Sequence, residues 1–243
     1  AASGEMRKEV KTIGKDIYFL VDLSKSMDAT DVPPSRLEKV KFEMKQLVNE
    51  FGTDRMGLII FTSDAFLQCP LTYDNSAMML FTETLNTGLV SNSGTDFYPA
   101  LKMALEKFER MDSQSVSQTQ SRLLVLFSDG EDFGEQSAEI AETLQDRNIK
   151  LFTVGVGTTA GSRIPVGYRF KRDQNGQEVV SRLEPAGLQQ LASSTGGRYF
   201  EISDDKNELP QLVNAIERIE GDLRDTREID ASANRYFGFL LAA

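Results

Sequence analysis

The chain alternates short, almost unbroken apolar runs with longer stretches in which apolar residues return every three or four positions. The runs "DIYFLVDL" (16–23), "MGLIIFT" (56–62), "AFLQ" (65–68), "RLLVLFS" (122–128) and "KLFTVGV" (150–156) predict strands. Several lack the alternation of a half-exposed sheet, so they suit strands covered on both faces. Between the first two, "SRLEKVKFEMKQLVNEF" sets Leu37, Val40, Met44, Leu47, Val48 and Phe51 on one helical stripe. Ser35 and Glu38 have the S-x-x-E spacing of a capping box. Leu101, Ala104, Leu105, Phe108 and Met111 form a second stripe; Ala138, Ala141 and Leu144 form a third, and Asn148 fits a left-handed cap behind it.

The remaining pattern is shorter. "MDSQSVSQTQS" (111–121) is a polar loop. "YRFKRDQNGQEVV" predicts a hairpin turning at Asn175-Gly176. A helix over 185–195 stops at Gly196-Gly197, before a short strand "RYFEI", and Leu209, Leu212, Val213, Ile216 and Ile219 stripe a last helix. Strand–helix alternation of this kind predicts an α/β fold: a doubly wound, mostly parallel central sheet with helices on both faces and a β-hairpin insertion near 168–180. The expected organisation is a lead over 1–13, one domain over 14–220, and a linker over 221–243. The closing "RYFGFLLAA" fits a frayed helix end as well as the approach to a transmembrane helix.

Composition narrows the chemistry. A net charge of −10 without a Lys/Arg block argues against nucleic acid. There is no histidine, which removes Ser-His-Asp and Cys-His catalysis. The single cysteine, Cys69, leaves no internal disulfide and, without histidine, no familiar zinc ligand set; its apolar setting predicts a buried, inert thiol. "GVGTTA" (155–160) matches G-x-G-x-x-A, but "GSRIPVGYRF" follows where a dinucleotide site needs a helix.

The candidate site lies where ligands bind in such sheets, beyond the carboxyl ends of the strands. Asp22, Ser24 and Ser26 stand on alternate residues after the first strand, Asp129 follows "RLLVLFS" within "SDGED", and Thr95 and Asp96 precede the second striped helix. Carboxylates and hydroxyls without nitrogen or thiolate suit a hard divalent cation: Mg²⁺, Mn²⁺ or Ca²⁺. Gly130 allows a tight turn beside Asp129. Asp96 reads as a helix cap, Asp28 and Asp31 as solvated loop residues, and Glu131 and Asp132 as a solvated acidic loop.

D-x-S-x-S after the first strand, a Thr in a G-T loop and an Asp-Gly after the fourth long strand resemble a von Willebrand factor A domain. "VDLSKSMDATDVPPSRLEKVK", "FLQCPLTYD", "LFSDGEDFGE", "VGVGTTAGSRIPV" and "GGRYFEI" resemble the Bat proteins of bacterial aerotolerance operons, the BatB type above all. The resemblance implies a metal-ion-dependent adhesion site on Asp22, Ser24, Ser26, Thr95 and Asp129. In it the hydroxyls would meet the ion directly and the two aspartates would act largely through water. It also implies a non-enzymatic interaction module whose partner supplies an Asp or Glu to the metal. The implied partners are other Bat proteins and a MoxR-type AAA+ ATPase. The implied location is a bacterial inner membrane, reached through flanking helices, with the domain on the periplasmic side, and the implied process is stress or oxygen tolerance. Two other readings of the residues stand beside it: Mg²⁺-dependent phosphoryl transfer or phospho-acceptance at Asp22, and a structural scaffold whose metal site is vestigial.

Overall fold

The computed structural model describes residues 14–90, 94–112, 121–131 and 136–219. Its centre is a six-stranded sheet built from β1 (Lys15–Asp22), β2 (Arg55–Phe61), β3 (Ala65–Thr72), β4 (Ser121–Ser128), β5 (Lys150–Val156) and β10 (Tyr199–Ile202). The strand order is β10-β5-β4-β1-β2-β3. All pairings are parallel except β2 with β3. All eight residues of β1 are buried, as expected of a central strand walled by neighbours and by helices above and below.

Residue alternation along β1 assigns each face to its helices. Ile17, Phe19 and Val21 join the core made with α1 (Arg36–Glu50), α2 (Asn75–Thr84) and a last helix, α6, over 209–219. Tyr18 and Leu20 join the opposite core with α3 (Phe97–Asp112), α4 (Ser137–Asp146) and α5 (Pro185–Ser194). The doubly wound α/β expectation therefore holds. Local signals hold as well: the Ser35 side chain accepts from Glu38 N at 3.2 Å, and Asn148 is left-handed, at φ 54°. The reciprocal half of the capping box is replaced by a Lys41–Glu38 ion pair.

Three elements differ from the pattern. β3 runs to Thr72 instead of stopping at residue 68, because Pro70 lies on an edge strand, where a missing N–H costs little. α2 carried no clear stripe, since it buries only Met78 and Thr82; it starts from Asp74, whose side chain accepts from Ala77 N. The expected hairpin is a compound insertion. β6 (Ser162–Arg163) pairs with β9 (Val180–Ser181), β7 (Pro165–Val166) pairs with β8 (Arg169–Phe170), and an isolated bridge joins Arg172 to Glu178 around a turn in which Gly176 has φ 78°. No helix of the described residues is long and apolar enough to cross a membrane. The lead over 1–13, the C-terminal linker and "RYFGFLLAA" lie outside the described residues, as do Asp132 and most of the polar loop at 111–121.

Candidate metal centre

The site grows from the end of the central strand. Asp22 is the last residue of β1, opposite Phe61 of β2, and the chain then stays tied to β2 through Leu23 N donating to Phe61 O at 2.8 Å. A single 3₁₀ turn over Lys25–Asp28 follows, anchored by Met27, which is fully buried. The turn swings Ser24 and Ser26 to the same point, with their hydroxyl oxygens 2.8 Å apart. Asp22 accepts from Ser24 N through Oδ1 and from Ser128 Oγ through Oδ2, both at 2.7 Å. Both partners are neutral, and Asp22 is fully buried. Burial, and then the charge of Asp129, push its pKa up to about 7; the Ser128 and Ser24 donors pull back only in part.

Asp129 follows Ser128 at the end of β4 and is equally buried, but its surroundings differ. Arg36 Nη1 donates to Asp129 Oδ2 at 2.7 Å and to Ser181 Oγ at 2.7 Å, and Ser181 Oγ donates to the same carboxylate oxygen at 3.0 Å. Arg36 is itself fully buried, and its other edge meets Asp31 in a bidentate pair, Nε to Oδ1 at 2.8 Å and Nη2 to Oδ2 at 2.7 Å. Thr158 closes the network by donating to Asp31 from both N and Oγ1. Burial raises the Asp31 pKa, but Arg36 outweighs it, and the net shift is downward. Two glycines are obligatory here. A Cβ on Gly130 (φ 88°) would lie 2.0 Å from Glu184 O, and one on Gly157 (φ 136°) would lie 2.8 Å from Arg36 Nε.

The structure thus brings Asp22, Ser24, Ser26 and Asp129 to one end of the sheet. Thr95 is buried, in a segment fixed to the end of β2 by Asp96 N donating to Thr62 O at 3.0 Å. Asp96 caps α3, its Oδ1 accepting from Tyr98 N. Asp31 is not the solvated loop residue its sequence setting suggested: its side chain is 5% exposed and bound to Arg36. Asp28 is half-buried and accepts from Thr87 Oγ1. Glu131 is half-buried too, and burial, with Asp129 adding to it, raises its pKa. Sequence reasoning missed Arg36, Ser128 and Ser181. Ser128 carried a signal, a hydroxyl closing the strand just before Asp129, whereas Arg36 and Ser181 carried none.

The donor set suits a hard cation. Two paired hydroxyls lie beside a carboxylate held only by neutral donors, and a second carboxylate stands close enough to raise its proton affinity. Among the described residues no three His, Cys, Asp or Glu side chains group as a metal site. Gly155 lies within β5 and Gly157 backs Arg36, and no helix opens after "GVGTTA", which leaves no dinucleotide cradle.

Comparison with known proteins gives a consistent result. The family model for the von Willebrand factor type A domain matches residues 16–215. The crystal structure of BatB, a conserved hypothetical protein from Bacteroides thetaiotaomicron, superposes with a TM-score of 0.78 at 30% identity, covering 84% of this chain and 98% of that one. An aerotolerance-related membrane protein from Bacteroides fragilis superposes with a TM-score of 0.76, also at 30% identity, over 86% and 100% of the two chains. A UPF0353 protein from Nocardia farcinica is 25% identical over 216 residues, and the chain spans 62% of that relative's length.

Proposed function

Because this chain belongs to the von Willebrand factor type A domain family, we propose that the sheet end built on Asp22, Ser24, Ser26, Thr95 and Asp129 is a metal-ion-dependent adhesion site. Ser24, Ser26 and Thr95 would supply neutral oxygens to a divalent cation, Mg²⁺ first, while Asp22 and Asp129 balance its charge from behind. A cation held by neutral ligands remains strongly electrophilic and accepts a further carboxylate from a partner protein. The observation that carries this reading is the convergence of the Ser24 and Ser26 hydroxyls at 2.8 Å beside a carboxylate that has no cationic partner among its hydrogen bonds.

The likeness to BatB and to the aerotolerance-related protein supports a place in a Bat-type assembly. Within it, other Bat proteins and a MoxR-type AAA+ ATPase are the partners proposed, at a membrane, with the domain on the periplasmic side. Phospho-acceptance at Asp22 finds less support: the residue is fully buried and both its oxygens are engaged, so no incoming phosphoryl group reaches it.

Titration calorimetry with MgCl₂ and MnCl₂ tests the reading. Saturable heat in the wild type, lost in Asp22→Ala and in Ser24→Ala, is the expected result. A folded wild-type protein that takes up neither ion would leave the scaffold with a vestigial site as the better description.

A further inference from the structure

The compound insertion β6–β9 carries two features that the metal centre does not use. The first is apolar exposure. Tyr168 at its tip is fully exposed, Val166 beside it is 53% exposed, and Phe170 and Val180 are each more than a third exposed. Register puts Arg163 opposite Val180 and Pro165 opposite Phe170, and the Arg163 guanidinium lies 4.2 Å from the Phe170 ring centroid, which draws Phe170 and Val180 together around it; Val166, opposite Arg169, stands on the other face of β7–β8. The second is charge. Residues 161–182 contain five basic and two acidic side chains, hence a net +3, in a chain whose total is −10. Glu178 takes up Arg163 and Arg172, while among the described residues Arg169 and Lys171 pair with no carboxylate.

The insertion is also fastened to the metal centre. Ser181, next to the exposed Val180, bonds both Asp129 and Arg36, and Ser162 approaches Thr30 in the loop that follows Ser24 and Ser26.

We propose that the insertion is the second half of the binding surface, and that it takes an acidic, apolar segment of the protein whose carboxylate completes the metal centre. This rests on the adhesion-site reading above. An acidic protein segment is favoured over an anionic membrane because the neighbouring centre is built to accept a carboxylate, and because the strongly negative body of the domain is repelled by an anionic bilayer. The aromatic and aliphatic side chains supply desolvated anchors, and the arginines and Lys171 supply sign selectivity.

The probe is a fluorescein-labelled synthetic peptide of alternating Glu and Leu, followed by anisotropy in Mg²⁺ and in EDTA. A Lys–Leu peptide and a Glu–Ser peptide serve as controls. The variants are Tyr168→Ser with Phe170→Ser, and Arg169→Glu with Lys171→Glu; these side chains lie at the surface, so unchanged melting confirms the fold. The proposal expects the Glu–Leu peptide to bind best, with affinity about tenfold weaker in each variant and weaker again in EDTA. Binding that EDTA abolishes but the variants leave intact overturns the insertion's role and keeps the adhesion site. Binding that the variants abolish but EDTA leaves intact keeps the surface and sinks the adhesion-site reading. Equal binding of all three peptides overturns the proposal. So does retention on phosphatidylglycerol vesicles without peptide binding, and so does self-association in sedimentation that vanishes in the tip variant.

Discussion

Two buried aspartates stand side by side at the sheet end, and the protein treats them in opposite ways. Asp129 has an internal cation: Arg36, itself fully buried, neutralises it and is shared with Asp31 and Ser181. Among the described residues Asp22 is met by neutral donors, the Ser24 N–H and the Ser128 hydroxyl, and the proximity of Asp129 makes its charge less welcome. Equal burial therefore does not mean equal chemistry. One half of the rim is electrostatically closed by the chain itself, and the other is left without a compensating positive charge among the described residues. The closed half also touches the open one, since Arg36 Nη1 lies 3.5 Å from the carbonyl oxygen of Ser26.

The largest perturbation of this asymmetry is Arg36→Ala. It strands two carboxylates, and urea denaturation should register a loss of about 3–5 kcal/mol. Next in size is Gly157→Ala, which forces a Cβ against the guanidinium at a backbone angle unfavourable to L side chains; about 1–3 kcal/mol should be lost by the same measure. The open half should show itself in pH dependence. The folded-state pKa of Asp22 is raised to about 7, above an unfolded value of about 3.9. Between those values the folded state holds more protons than the unfolded one, so in EDTA stability should fall as pH rises, by at most about 1.4 kcal/mol per pH unit. Asp22→Asn should flatten that slope, and a slope of opposite sign in the wild type would refute the assignment. Asp31 works the other way. Its lowered pKa contributes stability that persists through the ordinary carboxylate range and disappears only as pH falls below it. The smallest effect should come from Ser35→Ala, which uncaps the helix turn carrying Arg36, at about 1 kcal/mol in thermal or urea unfolding.

What the sequence made legible follows from range. β1, β2, β4 and β5 were visible because a strand covered on both faces must be apolar throughout, and α1 and α3 because a single buried face imposes a helical period. The cluster of Asp22, Ser24 and Ser26 was visible because its geometry is local, set by one turn. α2 escaped because its burial is too slight to leave a stripe. Arg36 escaped for a different reason. Its partners Asp129 and Ser181 lie 93 and 145 residues away, and a basic residue in a helix's first turn looks like an ordinary surface choice until the fold closes around it. The same blindness misplaced Asp31, whose partner is only five residues off but is buried by distant chain.

Asp129 offers the rim more than a side chain. Its main-chain oxygen accepts the Glu184 amide at 2.8 Å, immediately ahead of Pro185 and the first turn of α5. If Asp129 is drawn toward a bound ion with its main chain, that hydrogen bond must lengthen or the head of α5 must travel with it. A ligand gripped at one end of the sheet would in that case be felt mechanically along a helix on its flank.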